Sequence, residues 1–110
     1  MIFNLATWNI NSIRLRVDLV CKLLKDEQID ILCLQECKSP VDKIPFEAFS
    51  KFGFKHMVAR GQKGYNGVAI ISKSPLKEKS AIDFAGLGHA RHISAELENG
   101  IIIHNFYVPA

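Results

Sequence analysis

The sequence is short of cysteine and has no long apolar run, and both shortages exclude classes of protein. Its three cysteines, Cys21, Cys33 and Cys37, are an odd number without C-x-x-C spacing. That pattern argues against a disulfide framework and a zinc site, and it favours a reducing, cytoplasmic location. No apolar stretch approaches the roughly 20 residues that span a bilayer. Because residues 1–6 also lack the basic segment and cleavage site of a signal peptide, we expect no membrane partner.

Neither sign of charge dominates the chain. It has 14 lysines and arginines against 11 aspartates and glutamates, and the net charge of +3 is compatible with a phosphate-bearing partner. With 48% apolar and 23% charged residues, the composition is that of a folded globular protein and excludes disorder. A length of 110 residues predicts one domain.

The first third of the chain alternates between strand-like and helix-like patterns. Residues 1–8 predict a strand, followed by a polar turn in which Asn11 or Ser12 is a candidate helix N-cap. Apolar residues recur at helical spacing over 13–28, and residues 29–34 form a short apolar run typical of a buried strand. Strand, helix and strand in this order predict a βαβ unit with two parallel strands.

The remaining segments add mostly strands. A short helix is predicted over 45–52, and strands are predicted over 54–60, 68–72, 93–97 and 101–108. Asn99-Gly100 is a strong short hairpin signal between the last two strands. The pattern predicts an α/β fold with a mixed β-sheet. The last strand is apolar enough to be central in a sheet, yet the sequence stops at Ala110, so we expect a domain cut within a sheet.

A carboxylate follows the buried strand predicted over 29–34, at the point where the chain reaches solvent. Glu36 stands in the segment Leu34-Gln35-Glu36-Cys37-Lys38. An acid at a strand end can hold a hard cation such as Mg²⁺, which prefers oxygen ligands and usually takes one or two protein carboxylates. The alternative is a solvated carboxylate that pairs with Lys38 at little gain in energy. The residues alone leave both interpretations open.

Two asparagines end the first predicted strand in the same way. Asn9 and Asn11 lie in the segment Ala6-Thr7-Trp8-Asn9-Ile10-Asn11-Ser12-Ile13-Arg14. Because asparagine is a common turn residue, the residues alone favour a turn that caps the following helix. The alternative places one of the two side-chain amides beside a metal or a phosphate.

The polar loop over 61–67 carries the first candidate contacts for a nucleic acid. Lys63 and Tyr65 stand among glycines, where a lysine can meet phosphate while the tyrosine ring lies against sugar or base. A plain turn that leads into the next strand explains the same pattern.

Two histidines and an arginine precede the strand predicted over 93–97. His89 and His92 lack the further ligands that a metal site needs, so we expect a surface loop here. Arg91 is a better candidate for a functional residue than the two histidines, because its guanidinium can contact a phosphate. Near the end of the chain, we expect Tyr107 to be a core residue whose hydroxyl reaches the rim of the fold.

Together these segments resemble the exodeoxyribonuclease III group of the endonuclease/exonuclease/phosphatase superfamily. The motifs that carry the resemblance are TWNINSIR, LQECK, GYNGVAIIS, the strand entry Ala90-Arg91, and NFYVP. Each motif is weak alone, but all occur in the family's order and spacing and span nearly the whole chain. The resemblance implies the N-terminal half of a four-layer α/β sandwich with mixed β-sheets. It also implies a phosphodiesterase that uses Mg²⁺ or Mn²⁺ on duplex DNA with abasic sites or 3′ ends.

The same resemblance implies roles for individual residues. Asn9 and Tyr107 match catalytic positions, and Tyr107 is the tyrosine that approaches the scissile phosphate. Glu36 matches the metal-binding glutamate, and Asn11 stands where some members have an aspartate. Tyr65 and Arg91 match positions that face the DNA. Lys63 is a third predicted DNA-binding residue, on the ground of the loop pattern described above and not of the resemblance.

Part of the family's site has no counterpart in these 110 residues. In the family, an aspartate-x-asparagine motif follows the last strand found here, and a later aspartate–histidine pair completes the site. The resemblance therefore implies a truncated domain over 1–110 that lacks the general base and the second sheet. We expect the chain to be inactive alone. The alternative is a binding module that complements a separately encoded C-terminal half.

Overall fold

Two β-sheets face each other in the computed structural model, which describes residues 2–109. In chain order the elements are β1 (Leu5–Asn9), α1 (Val17–Asp26), β2 (Ile31–Gln35), a 3₁₀ turn (Val41–Lys43), α2 (Phe46–Ser50), β3 (His56–Arg60), β4 (Val68–Ser72), β5 (Leu76–Ser80), β6 (His92–Leu97) and β7 (Ile102–Phe106). The first sheet has the order β1-β2-β4-β3 and the second the order β5-β6-β7. The predicted α/β fold is confirmed. Met1 and Ala110, which belong to the predicted 1–110 span, lie outside the described residues.

The first sheet is mixed and is built around the predicted βαβ unit. β1 and β2 are parallel, with α1 as the crossover between them, while β4 pairs antiparallel with both β2 and β3. All five residues of β2 are buried, as expected for a central strand covered on both faces. The two helices pack on one face, where α1 contributes Val20 and Leu24 and α2 contributes Phe49 to the core.

The second sheet covers the other face of the first, so the expectation of a missing second sheet is wrong for the described residues. Ile93, Ala95 and Leu97 share a face of β6 and pack with Ile70 and other apolar residues of the first sheet. Burial of each large aliphatic side chain contributes roughly 1.5–3 kcal/mol to stability. The sequence pattern predicts no strand over 76–80, because the segment Leu-Lys-Glu-Lys-Ser is mostly polar. In the structure this segment is β5, and its exposed residues suit a strand at the edge of a sheet.

The hairpin predicted at Asn99-Gly100 is confirmed. It joins β6 to the antiparallel β7, and Gly100 has a φ of 89°, which suits glycine in this turn. The prediction of a central final strand is wrong for the described residues, since β7 there pairs with β6 alone. Ile102 and Phe106 are accordingly 46% and 47% exposed on its outer face. Within residues 2–109, every helix is too short to cross a membrane.

The turn after β1 does not cap a helix, so this prediction is wrong. α1 begins at Val17 rather than at residue 13, without a side-chain cap. Asn11 and Ser12 have φ values of 46° and 84°, in the left-handed region. The Ser12 N–H donates to the Glu36 carbonyl at 2.8 Å. Because this turn is hydrogen-bonded to the loop after β2, neither residue is free to cap α1.

His92 is fully buried, so the expectation of a surface loop over residues 89–92 is wrong for this residue, whereas residues 89–91 do lie in a loop. It is the first residue of β6, and its Nδ1 accepts the Ile82 N–H at 3.0 Å. Its Nε2 lies 3.0 Å from Nδ1 of His104 on β7, so the neutral ring must donate there. Burial, His104 and the nearby Arg60 together hold the pKa of His92 below its usual range.

We expect the free energy of unfolding to decrease as pH falls below about 6.5, the ordinary value for histidine. Below that pH the unfolded chain takes up a proton at His92 more readily than the folded chain does. His92→Gln keeps one acceptor and one donor but cannot titrate, so its urea-derived stability should fall less steeply with acid. Equal slopes for the two proteins between pH 5 and 7 would contradict this account.

Candidate active site

Asn9 and Glu36 meet at one edge of the first sheet. β1 and β2 are parallel, and Asn9 at the end of β1 pairs in register with Gln35 at the end of β2. Glu36 follows at once with a φ of 54°, a left-handed backbone that turns the chain sharply out of the strand. The carboxyl ends of both strands therefore bring an amide and a carboxylate to the same rim.

Tyr107 reaches this rim from the second sheet. It follows β7, and its phenol lies beside the Glu36 carboxylate. The interaction with Glu36, together with burial, raises the pKa of Tyr107 above its ordinary value, so the phenol is protonated at neutral pH. The Tyr107 N–H donates to the Arg91 carbonyl at 2.8 Å, and the Arg91 guanidinium lies 6.0 Å from the centre of the tyrosine ring. Both sheets thus contribute to one site.

A lysine lies between the two predicted metal-binding residues. The Lys38 Nζ donates to the Asn11 Oδ1 at 2.6 Å and lies 3.9 Å from the Glu36 Oε2. Lys38 has a φ of 53°, and the Arg14 Nη2 donates to its carbonyl at 3.4 Å. The pairing of Lys38 with Glu36 was one of the sequence alternatives, but the contact with Asn11 was not expected.

The predicted DNA-binding residues lie on two neighbouring segments. Arg91 is part of the site because it contacts Tyr107, as described above. Its Nε also donates to the Asn66 Oδ1 at 3.2 Å, which fixes the guanidinium in place. Lys63 and Tyr65 are exposed on the loop 61–67. Tyr65 is 54% exposed, and its ring rests edge-on against His89 with 5.9 Å between the ring centres. The structure thus joins Arg91 to Tyr107 by contact and leaves Lys63 and Tyr65 on the flank.

Backbone and amide contacts hold the loop 61–67 against the site. The Lys38 N–H donates to the Asn66 carbonyl at 2.8 Å, and the Gly67 N–H donates to the Ala90 carbonyl at 2.8 Å. The Gln62 Oε1 accepts from the Asn66 Nδ2 at 3.0 Å and from the Ala90 N–H at 2.9 Å. Gly67 has a φ of 92°, and a Cβ there would lie 3.2 Å from the Lys38 nitrogen. This position therefore requires glycine.

A buried amide network ties the two sheets together below the rim, and residue-based reasoning missed it. The Gln35 Nε2 donates to the Asn105 Oδ1 at 2.7 Å and to the Thr7 Oγ1 at 2.9 Å. The Asn105 Nδ2 donates to the carbonyls of Leu34 at 3.0 Å and Ala69 at 2.8 Å. Gln35 and Asn105 are 9% and 3% exposed.

The signal that could have revealed Asn105 is its place in an apolar alternation. Ile103 and Asn105 are the two buried positions of β7 and face the other sheet. A polar residue on such a face needs partners, since burial without hydrogen bonds is costly. Asn105 lies two residues before Tyr107, so the network fixes the end of β7 that carries the phenol.

The oxygen atoms at the rim are of the kind that Mg²⁺ and Mn²⁺ prefer. Glu36 offers a carboxylate, Asn11 offers an amide oxygen from the adjoining turn, and Asn9 offers one from the end of β1. Within residues 2–109 there is no group of three histidines, cysteines, aspartates or glutamates that could hold a metal. One carboxylate with neutral oxygens suits a hard cation that keeps several waters, and it does not suit zinc.

The whole of this architecture matches one protein family. The model of the endonuclease/exonuclease/phosphatase family matches residues 6–109, which include the site from Asn9 to Tyr107. The chain belongs to this family. The resemblance inferred from the five motifs is confirmed.

Individual relatives are similar at moderate identity. The chain is 34% identical over 71 residues to exodeoxyribonuclease III of Haemophilus influenzae, a match that covers 64% of this chain and 26% of that protein. It is 37% identical over 115 residues to recombination repair protein 1 of Drosophila melanogaster, covering 97% of this chain and 16% of the relative. The shared segment is therefore a minor part of each relative.

Solved structures give closely similar folds. An AP endonuclease from Archaeoglobus fulgidus has a TM-score of 0.87 and 39% identity, over 98% of this chain and 42% of that one. A 3′ phosphatase from Neisseria, bound to a product DNA hairpin, has a TM-score of 0.86 and 38% identity, over 96% and 41% of the two chains. Across these four relatives, the chain spans 16–42% of their length.

We expect Asn105→Leu to lower the free energy of unfolding by roughly 2–4 kcal/mol, because two backbone carbonyls and the Gln35 amide lose buried partners. Urea titration followed by circular dichroism measures the loss. Thr7→Val removes one acceptor at an exposed position of the same network and should cost less than about 1 kcal/mol. Similar losses in the two variants would show that the Asn105 amide has no special role.

Proposed function

We propose that this chain is the N-terminal part, over residues 1–110, of an exodeoxyribonuclease III-like DNA-repair nuclease. Its reaction is the Mg²⁺- or Mn²⁺-dependent hydrolysis of phosphodiester bonds in duplex DNA, at abasic sites and 3′ ends, in the cytoplasm. The observation that carries the proposal is the convergence of Asn9, Glu36 and Tyr107 at one rim: the in-register pairing of β1 with β2 places Asn9 beside the turn of Glu36, and the Glu36 carboxylate lies close enough to the Tyr107 phenol to raise its pKa. It unites an anionic metal ligand and a neutral hydrogen-bond donor, two groups that phosphoryl chemistry needs side by side.

The first requirement of the reaction is to neutralise the negative charge of the phosphodiester. The anionic oxygens of a phosphodiester repel an incoming nucleophile, so the site must neutralise them. Glu36 and the amide oxygen of Asn11 would hold the divalent ion. When bound there, the ion would offset the phosphate charge and stabilise the departing 3′ oxygen.

The second requirement is hydrogen bonding to the charge that develops on the phosphoryl oxygens. A phenol with an ordinary pKa near 10 is protonated at neutral pH, and the pKa of Tyr107 is raised further, so it remains a donor. Asn9 offers an amide N–H group from the exposed end of β1. Donors fixed in advance stabilise the transition state more than the ground state, because the negative charge on these oxygens is then at its largest.

The third requirement is a grip on the DNA. Arg91 is held by Asn66 at the site and suits a phosphate close to the cleavage point. Lys63 and Tyr65 extend this surface along the loop, with a cation for a phosphate and a ring for a sugar or base. Duplex DNA with an abasic site or a 3′ end is thus the proposed substrate.

A base that deprotonates water completes the chemistry, and we propose that it is supplied by the rest of the domain. Among residues 2–109 there is no group of three or more histidines, cysteines, aspartates or glutamates that could hold a metal. The 110-residue polypeptide should accordingly bind DNA and the ion without cleaving. The missing part would come from a longer chain or from a separately encoded C-terminal half that docks with this one.

A chimera tests this function directly. Residues 1–110 would replace the matching part of the Archaeoglobus fulgidus relative, whose structure the chain follows over 98% of its length. We expect Mg²⁺-dependent nicking of an abasic duplex by the chimera and none by residues 1–110 alone. Glu36→Gln should lower the rate by roughly 100-fold or more, since a charged ligand becomes neutral.

The matched control for this chimera is Glu47→Gln, which alters an exposed carboxylate in the first turn of α2. Its rate should equal that of the parent chimera. Nicking that survives Glu36→Gln, or robust nicking by residues 1–110 alone, would contradict the proposal.

We also expect Lys63→Met to weaken the binding of a short duplex and to reduce the slope of log affinity against log salt by about 1, the loss of one phosphate contact. Lys55→Met is the matched control. Lys55 directly precedes β3. The first residue of β3, His56, pairs with Ser72 at the end of the first sheet that lies opposite Glu36. Fluorescence anisotropy at several salt concentrations measures both slopes, and equal slopes for the two variants would contradict this assignment.

A further inference from the structure

We propose that Lys38 is the resident counter-cation of the candidate metal site, which a divalent ion must displace and which then turns to the DNA phosphate. This inference rests on the proposed function. It makes the binding of metal and the binding of DNA energetically coupled, with Lys38 as the group that links them.

The position of the Lys38 ammonium is the first observation. Its Nζ lies 2.6 Å from the Asn11 Oδ1 and 3.9 Å from the Glu36 Oε2, so it occupies the space between two predicted metal ligands. The side chains of Lys38 and Glu36 are 33% and 21% exposed, so the pair is partly shielded from solvent. A cation bound by these oxygens has to compete with the ammonium.

The backbone holds Lys38 in this place. Glu36 and Lys38 both have left-handed φ values, 54° and 53°, which are uncommon for residues with a side chain. The Lys38 N–H donates to the Asn66 carbonyl at 2.8 Å, in the loop that also carries the Arg91 contact. Strained backbone of this kind persists where surrounding contacts enforce it, often at functional sites.

The charge balance is the second observation. Glu36 supplies one negative charge, the Asn11 amide supplies none, and Lys38 supplies one positive charge, so the three groups together are neutral. A divalent ion that enters without moving Lys38 meets no net attraction and a close positive charge. Once the ion takes the carboxylate, the released ammonium can reach an anionic partner, and the phosphate of bound DNA supplies one.

Coupling follows from this exchange. Bound DNA draws the ammonium towards phosphate and removes the competitor, so the divalent ion should bind more tightly in the presence of DNA. By reciprocity, the ion should tighten DNA binding by the same factor. A lysine that merely decorates the surface would produce neither effect.

The experiment measures Mn²⁺ affinity of the 110-residue chain from the free-ion electron paramagnetic resonance signal, with and without a short duplex. We expect Lys38→Met to bind Mn²⁺ roughly 5–10-fold more tightly than the parent without DNA, since a nearby positive charge is removed. The gain in affinity on adding DNA should be smaller in Lys38→Met than in the parent. Lys38→Gln should match Lys38→Met, because it retains a donor for Asn11 but no charge. Lys55→Met, at the opposite edge of the sheet, should match the parent throughout.

Glu36→Gln separates the two levels of the proposal. If Glu36→Gln leaves Mn²⁺ affinity unchanged, the proposed metal site fails and the role of Lys38 falls with it. If Glu36→Gln abolishes binding while both Lys38 variants bind Mn²⁺ no more tightly than the parent, the metal site stands and Lys38 is not a competitor. An undiminished DNA-induced gain in both Lys38 variants would also overturn the coupling.

Discussion

The phenol of Tyr107 lies beside the carboxylate of Glu36, and this contact joins the end of a strand in one sheet to the end of a strand in the other. It forms only if the two sheets are packed in the correct register and both strands end at the same rim. The side chains of the proposed site come from segments that are far apart in the chain. Their distances are therefore set by how the sheets pack and not by any single loop.

The packing of the sheets is specified by polar contacts as well as by apolar burial. The Gln35 and Asn105 amides lie in an otherwise apolar interface and satisfy each other and two backbone carbonyls. A shifted register would leave these groups buried without partners, which costs roughly 1–3 kcal/mol for each group. The network thus selects the one alignment that presents Tyr107 to Glu36. The scaffold is organised before any ion or DNA arrives, as electrostatic catalysis requires.

Local patterns in the sequence were sufficient for the βαβ unit, for the Asn99-Gly100 hairpin and for the carboxylate at the end of β2, because each depends on periodicity or on a short turn signal. The capping turn and the missing second sheet were wrong predictions. The first failed because the turn at Ser12 is bonded to the loop after β2, a contact that no local pattern encodes. The second came from the resemblance, and it failed because the two strands predicted late in the chain pair with each other and with the mostly polar β5 to form a second sheet. The contact of Lys38 with Asn11 was equally out of reach, since it depends on two left-handed turns that face each other.

The central claim is that oxygen-bearing side chains at the ends of the early strands bind a divalent ion. Paramagnetic broadening of backbone amide signals by substoichiometric Mn²⁺ tests it most directly, because the broadening falls steeply with distance from the ion. We expect the amide signals of Asn9, Asn11 and Glu36 to broaden first, followed by that of Tyr107, while those at the opposite end of the sheet near Lys55 and Ser72 persist. Broadening that is uniform, or that centres on any other part of the chain, would contradict it.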